Sequence, residues 1–185
     1  FYAGFAELEY ERNDLEEAER LAEAASEIAL AQRSSKLLGP VAVLQSKLHL
    51  ARGSAENARG ELDQGERLLR MWRSGYWNDV IAAQRLRMFM LSMPGDHERF
   101  ERELTAWTDR HLLLRAEEMR PYPYFLAMTT IRALAWLGRF REALDWLDEL
   151  KAKAADDRRT GELQELLLLE ALCLWRSQRK ELAAR

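Results

Sequence analysis

Apolar side chains recur three and four positions apart along most of the chain, a spacing that lines up one face of an α-helix. The clearest run has apolar residues at Leu15, Ala18, Leu21, Ala22, Ala25, Ile28 and Ala29. Because the same period returns in successive segments, the pattern predicts an all-α protein. Helices are expected at 2–12, 14–33, 40–52, 54–73, 77–92, 96–115, 122–137, 140–155 and 161–177.

A short block recurs at the junctions between these helices. Its strongest copies are NDLEEA at 13–18, GSAENA at 53–58 and GRFREA at 138–143, and each ends in alanine. Weaker copies are GDHERF at 95–100 and QRKELA at 178–183. The five blocks begin 40, 42, 43 and 40 residues apart, a regularity that chance seldom produces. They predict a single domain with a repeat of about 40 residues, its copies lying at about 1–33, 36–74, 76–116, 120–156 and 160–185.

The chemistry of the block predicts a tight corner between two helices. Glycine or asparagine tolerates the left-handed backbone that ends a helix, and the following aspartate or serine caps the next helix. The alanine then lies where the second helix crosses the first, so that the two axes can approach to about 8–10 Å. Phe100 replaces that alanine in the third block, which implies a wider separation or a shifted register there. Pro40 and Pro121 are expected at helix starts, and Gly75 at a helix end.

A helix pair of this kind cannot cover its own apolar face, so successive pairs are expected to stack. The predicted fold class is an α-solenoid of antiparallel helix pairs, which is similar to the superhelix of tetratricopeptide proteins. In that architecture the first helix of each pair lines a concave groove, at positions ten, six and three residues before the turn. This register gives the candidate binding residues Glu7, Tyr10, Lys47, Leu50, Arg85, Phe89, Met128 and Arg132, with Trp136 beside the same face.

Three segments resemble the repeat region of MalT-like regulators, the large ATP-dependent transcriptional activators of the LuxR family. They are FAELEYERNDLEEA at 5–18, SKLHLARG at 46–53 and LAWLGRFREAL at 134–144. The resemblance implies a bacterial sensor module between a nucleotide-binding domain and a DNA-binding helix-turn-helix. Such a module binds a small-molecule inducer or a regulatory protein and helps to control self-association into a homo-oligomer.

The chain itself carries neither flanking domain of that family. It begins at Phe1 with no signal-peptide pattern, so it is expected to be a fragment of a longer protein. It lacks the Gly-x-x-x-x-Gly-Lys-Ser/Thr loop that cradles phosphate, and no ATP-binding residue can be assigned. We therefore expect no cofactor in this fragment.

Charge and composition narrow the classes of partner. The formal net charge is −3, from 28 basic and 31 acidic residues that are interleaved, so no basic stripe offers direct contact with nucleic acid. Uninterrupted apolar runs such as 166–169 are far shorter than the roughly 20 residues that cross a bilayer. The single cysteine, Cys173, excludes an internal disulfide and agrees with a cytoplasmic location.

No catalytic or metal-binding constellation is expected. His49, His97 and His111 do not stand at metal-ligand spacing from another histidine or cysteine. Cys173 lies in an apolar stretch, which favours a buried thiol over a nucleophile. Adjacent carboxylates such as Glu16 and Glu17 point about 100° apart on a helix and do not converge on one proton. The chain is therefore predicted not to be an enzyme.

Two questions stay open at this stage. The aromatic residues Trp72, Tyr76, Trp77, Tyr122, Tyr124 and Phe125 either seal repeat junctions or form an interaction surface. The module is either the sensor of a MalT-like regulator or a general tetratricopeptide protein-interaction scaffold unrelated to transcription. The gene sequence on either side of this segment distinguishes the two functions.

Overall fold

The computed structural model of the protein describes residues 1–92, 97–111, 121–157 and 159–183. Within those ranges the secondary structure is α-helical, with no strand. In chain order the helices are α1 Tyr2–Glu11, α2 Leu15–Ala31, α3 Ser35–Ala51, α4 Ala55–Met71, α5 Gly75–Ser92, α6 His97–His111, α7 Pro121–Trp136, α8 Phe140–Asp156 and α9 Thr160–Ala183. The all-α prediction is confirmed.

The helices pack in two compact units, Phe1–Arg85 and Leu86–Arg185, whose boundary lies within α5. In the first unit α1 packs on α2, α2 on α3 and α3 on α4, and α1 also contacts α3. In the second unit α6 packs on α7, α7 on α8 and α8 on α9. Where a tight corner joins two packed helices, as between α1 and α2, α3 and α4, and α7 and α8, the two helices run antiparallel, as predicted.

The corners form where glycine or asparagine takes a left-handed backbone. The corner residues Asn13, Gly53 and Gly138 have φ of 62°, 76° and 75°. The amide of Asn13 donates to the carbonyl of Tyr10 at 3.0 Å, and the amide of Asp14 donates to the carbonyl of Glu9 at 2.9 Å. This pair of bonds satisfies carbonyls that the end of the helix leaves free, and the same pattern recurs at the other two corners.

Capping of the following helix varies from corner to corner. The Asp14 carboxylate accepts a hydrogen bond from the Glu17 amide at 3.2 Å, as predicted. Ser54 occupies the corresponding position before α4 without making a side-chain cap bond. The prediction of a capping side chain is therefore right for the first of these corners and wrong for the second.

Two corners were missed because arginine occupies the left-handed position. Arg33 and Arg73 have φ of 49° and 56°, although a side chain makes that conformation unfavourable by roughly 1–2 kcal/mol. Since the corner lies at Arg33, α3 begins at Ser35 and continues through Pro40, which was wrongly expected at a helix start. Since the next corner lies at Arg73, Gly75 begins α5 instead of ending α4. Pro121 begins α7, as predicted.

The predicted corner at 178–183 does not form, because α9 continues to Ala183. Its glutamine, arginine, lysine, glutamate, leucine and alanine all favour helix, and none of them is a preferred cap. The predicted corner at Gly95 and Asp96 lies outside the described residues, as does 112–115 at the end of the helix predicted there. The 40-residue repeat over the whole chain therefore stays a prediction.

The predicted packing alanines are buried. Ala18, Ala58 and Ala143 are each 0 % exposed. Phe100, which replaces alanine, is buried too, with its ring centre 5.7 Å from that of Phe89 and 4.8 Å from that of Trp136. Aromatic packing fills the second unit at the position where alanine closes the helix crossing in the first.

Close approach of α3 and α5 depends on Gly39. A Cβ added to Gly39 would lie 2.2 Å from two ring carbons of Trp77, which is itself buried. We expect Gly39→Ala to lower the free energy of unfolding by about 1–3 kcal/mol, because the ring has little room to move. Urea unfolding measures the change.

Gly60→Ala is the matched control for that substitution. Gly60 lies in α4 with nothing within 4 Å of its added Cβ, so alanine there should raise stability by roughly 0.5–1 kcal/mol. Equal effects of the two substitutions would contradict the close packing at Gly39.

Lengthening a packing alanine should also destabilise the protein. We expect Ala58→Leu and Ala143→Leu each to cost about 1–3 kcal/mol, because both positions are fully buried. Ala152→Leu, at an exposed position of α8, should change stability by less than about 0.5 kcal/mol. Thermal unfolding would refute the helix-crossing assignment if all three variants melted together with the parent protein.

Candidate functional site

The predicted groove residues are distributed over both compact units. The first unit holds Glu7, Tyr10, Lys47, Leu50 and Arg85, and the second holds Phe89, Met128, Arg132 and Trp136. Each set has its own local environment, and no observation tests whether either set binds a guest. The groove assignment as a whole therefore stays a prediction.

Glu7, Tyr10 and Lys47 meet on the neighbouring helices α1 and α3. The Lys47 Nζ atom lies 3.3 Å from Glu7 Oε1 and 5.7 Å from the centre of the Tyr10 ring. The Glu7 side chain is 58 % exposed, whereas Tyr10 is half-buried, and burial, with a smaller contribution from Glu11, raises the pKa of Tyr10. Leu50, one turn after Lys47, is half-buried as well. An exposed ion pair contributes only about 0–1 kcal/mol, so a guest could replace it at little cost.

Arg85 is held by two carboxylates of α4. Its Nη1 donates to Glu66 at 2.5 Å and its Nη2 donates to Asp63 at 2.6 Å. Arg70 donates to the same Glu66 carboxylate at 2.5 Å. Burial acts to raise the pKa of Glu66, but hydrogen bonds and charges from Arg85 and Arg70 outweigh it, so that pKa lies below its usual value. Arg85 is therefore tied to the preceding helix and would have to leave two partners to bind a guest.

A buried polar link joins α3 to α5 in the first unit. Gln84 Nε2 donates to Ser46 Oγ at 3.1 Å, and Ser46 Oγ donates to the Val43 carbonyl at 2.7 Å. Ser46 is 0 % exposed and Gln84 is 3 % exposed. The only signal for this link in the sequence is a polar residue on an otherwise apolar helix face.

In the second unit, the structure contradicts the prediction for one candidate binding residue, and two others pack against a buried ring. Met128 is 0 % exposed and belongs to the core of this unit, so its side chain has no surface to offer a guest. Phe89 and Trp136 both pack against the buried ring of Phe100 and are half-buried. Packing inside the unit therefore accounts for these three side chains, which the register assigned to ligand binding.

Arg132 lies in a polar cluster together with an arginine that the register missed. Arg132 Nη2 donates to the Glu165 carboxylate of α9, whereas its Nη1 is buried without a hydrogen-bond partner among the residues described. Arg87, on α5, donates from Nε to Thr129 Oγ1 at 3.1 Å. Its guanidinium carbon lies 4.1 Å from the centre of the Phe125 ring, a cation–π contact.

Burial shapes the electrostatics of this cluster. Burial, and then the charge of Arg132, lower the pKa of Arg87 to about 9, so its guanidinium is still charged at neutral pH. Burial, followed by the charges of Glu165 and Glu162, raises the pKa of Tyr124. The protonated Tyr124 hydroxyl donates to the Glu162 carbonyl at 3.0 Å.

Arg87 could have been found from the sequence by a different count. Asn13 and Gly53 are 40 residues apart, and the same step separates Glu7 from Lys47 and Lys47 from Arg87. Counting back from Gly95 led instead to Arg85. The two counts differ by two residues because the second starts from one of the weaker recurring blocks.

The aromatic residues left open by the sequence divide between two roles. Trp77 and Tyr124 are buried, as core packing requires. Phe125 is half-buried and stacks on Arg87. The side chain of Tyr122 lies outside the described residues.

The described residues contain no group of three or more His, Cys, Asp or Glu side chains that could hold a metal ion. His49 lies 3.8 Å from Glu61, and the side chains of His97 and His111 fall outside the described residues. Cys173 is fully buried, as predicted, and burial raises the pKa of its thiol. Within the described part of the chain, no helix is both long enough and apolar enough to cross a membrane.

Comparison with known proteins identifies the family. The family model described as the MalT-like TPR region matches residues 1–185. The chain therefore belongs to the family of MalT-like tetratricopeptide regions. Neither a curated protein nor a solved structure matches it.

The lowered pKa of Glu66 predicts a pH-dependent contribution to stability. Because this pKa is lower in the folded protein, the contribution is full above the unfolded value near 4.5 and is lost as the pH falls through the folded value. We expect the difference in unfolding free energy between the parent protein and Glu66→Gln to shrink over that fall. Urea unfolding from pH 7 down to about pH 3 measures it.

Glu27→Gln, at an exposed position of α2, is the control. A Glu66→Gln difference that stayed constant with pH, or that matched the Glu27→Gln difference throughout, would contradict the assigned role of Arg85 and Arg70.

Proposed function

We propose that this chain is the effector-binding and self-association module of a bacterial, LuxR-family, MalT-like transcriptional regulator. The observation that carries the proposal is the family match over residues 1–185. The stacked helix pairs support it, because they place charged side chains of adjacent first helices side by side. We further propose that the module acts in the cytoplasm, where such a regulator meets DNA and where a single free thiol stays reduced.

Binding would act through contacts between neighbouring first helices. The link from Lys47 to Glu7 joins α1 to α3, and the link from Arg87 to Thr129 joins α5 to α7. A guest that replaces such a link changes how favourably two helix pairs stack. To shift the regulator toward its active state, the guest must bind one stacking arrangement more tightly than the other.

A binding role without catalysis fits the site chemistry. Lys47 and Arg85 each pair with a carboxylate, and the thiol is buried. A tetratricopeptide-type helical domain is typically a non-catalytic scaffold, and we propose the same for this chain.

A general protein-interaction scaffold is the alternative, and exposed apolar residues on α9 favour it. Leu168 is 73 % exposed and Trp175 is 51 % exposed. The neighbouring gene sequence separates the two functions. An ATPase domain before this segment and a helix-turn-helix after it would support the regulator, and the absence of both would support the scaffold.

A ligand screen tests the proposed function. The chain would be melted with neutral oligosaccharides, sugar phosphates and small carboxylic acids, and hits would be followed by sedimentation over a range of protein concentrations. A ligand present at 100 times its Kd should add about 2.7 kcal/mol of stability and should also change self-association. No stabilising compound, together with unchanged self-association, would refute the proposal.

Lys47→Glu should weaken binding of the compound found in that screen by about tenfold or more, because it removes a charged donor beside Tyr10. Helicity measured by circular dichroism should not change. Lys36→Glu, at an exposed position in the first turn of α3, is the control. Equal affinity of both variants and the parent protein would show that the α1–α3 surface does not bind this compound.

A further inference from the structure

The polar cluster of the second unit carries more positive than negative charge. Arg87 and Arg132 lie close enough for their charges to interact, and among the described residues the carboxylate that pairs with either arginine is that of Glu165, which binds Arg132. The Glu162 side chain does not balance the second charge, because it pairs with Arg159 at 3.3 Å. Within the described ranges, one positive charge is therefore left without a counter-ion in a half-buried setting.

The donors of the two arginines are also incompletely used. Arg132 Nη1 is buried and makes no hydrogen bond to the part of the chain that the structure describes. Among the described residues, the hydrogen bond of the Arg87 guanidinium runs from Nε to Thr129, and no bond is made by its terminal nitrogens. A buried donor without a partner is energetically unfavourable, and more so when the group is charged. An unpaired donor of this kind is more readily retained in a protein where a bound ligand supplies the missing hydrogen-bond partner.

The position of Arg87 is well defined before anything binds. Thr129 holds its Nε at 3.1 Å, and the Phe125 ring lies 4.1 Å from the guanidinium carbon. The Thr129 hydroxyl is itself oriented by donating to the Phe125 carbonyl at 2.9 Å. A guanidinium fixed in this way presents a planar fork whose geometry matches the oxygens of a carboxylate or phosphate.

Glu165 provides a means of opening the cluster. Its side chain is 40 % exposed and lies on α9, so it can turn toward solvent while both arginines stay in place. An incoming oxyanion would take over Arg132 from Glu165 and add the bonds that Glu165 leaves unmade.

We propose that Arg87 and Arg132 form a binding site for an oxyanion, the carboxylate or phosphate group of a small-molecule effector. The effector role rests on the proposed function, whereas binding of the anion by the arginine pair does not. Neutral ligands would leave the second guanidinium uncompensated, so the cluster selects an anionic class.

Calorimetric titration at low ionic strength tests the site, with inorganic phosphate and succinate as separate probes of the two oxyanion types. At least one probe should bind the parent protein, and Arg87→Gln and Arg132→Gln should each weaken binding about tenfold or more. Arg141→Gln removes one exposed charge of α8 in the same unit and should leave the affinity within about twofold, since an exposed charge interacts weakly through water.

Glu165→Gln gives the sharpest result. If an anion competes with Glu165 for Arg132, removing the carboxylate charge should strengthen binding, whereas a purely structural ion pair would give no such gain. This variant keeps both arginines, so it remains decisive if circular dichroism shows that Arg87→Gln or Arg132→Gln is unfolded. Binding of neither probe, binding insensitive to the arginine variants, or weaker binding by Glu165→Gln would each overturn the site.

Failure of this inference is distinguishable from failure of the proposed function. A neutral compound that binds and changes self-association, unaffected by the arginine variants, would overturn the anion site and keep the sensor role. Phosphate or succinate binding that depends on Arg87 and Arg132 without changing self-association would keep the site and count against the sensor role.

Discussion

Reversal of the chain within a few residues is the constraint on which this architecture depends. A helix that ends leaves carbonyl groups without partners, and here a left-handed residue turns its own amide and the following one back onto them. The chain thereby reverses direction within a few residues. As a consequence, the following helix must lie against the one before it. Asn13 and Gly53 adopt this conformation readily, whereas Arg33 and Arg73 adopt it only because the surrounding packing outweighs the unfavourable backbone. That these arginines tolerate it shows how strongly tertiary packing determines the position of each corner.

Residue size at the crossings then decides which side chains meet. Alanine at 18 and 58 and glycine at 39 allow backbones to approach, which brings Lys47 to Glu7 and Gln84 to Ser46 across neighbouring first helices. In the second unit aromatic rings take the place of a small residue at Phe100, whereas Ala143 keeps the small side chain. The polar cluster of Arg87 and Arg132 lies in that same unit. Polar contacts between first helices thus result from how closely the helices pack. The polar side chains in these contacts are the groups with which a guest could interact.

Much of the fold followed from the sequence because its strongest signals have direct physical causes. Glycine and asparagine mark left-handed corners, and alanine marks a close crossing, so Gly53 with Ala58 and Gly138 with Ala143 were interpreted correctly. Arginine gives no such signal, so the corners at 33 and 73 were missed, and Pro40 and Gly75 were placed wrongly as a result. The site was harder to predict than the fold, because a register error of two residues exchanges one arginine for another. Met128 and Arg132 lie one turn apart on α7, yet Met128 is buried in the core and Arg132 is partly exposed. The hydrophobic period of the sequence does not show at which turn of the helix burial ends.

Full burial of the only sulfhydryl in the chain means that its chemical accessibility reports local opening of the protein. Cys173 contributes to the cluster of side chains between α8 and α9, and nothing of it is exposed while those helices stay together. A thiol reagent can reach it only when α9 separates from the rest of its unit, so the rate of labelling reports the frequency of that opening. Any guest that tightens the end of the helical stack would slow labelling without touching the sulfur.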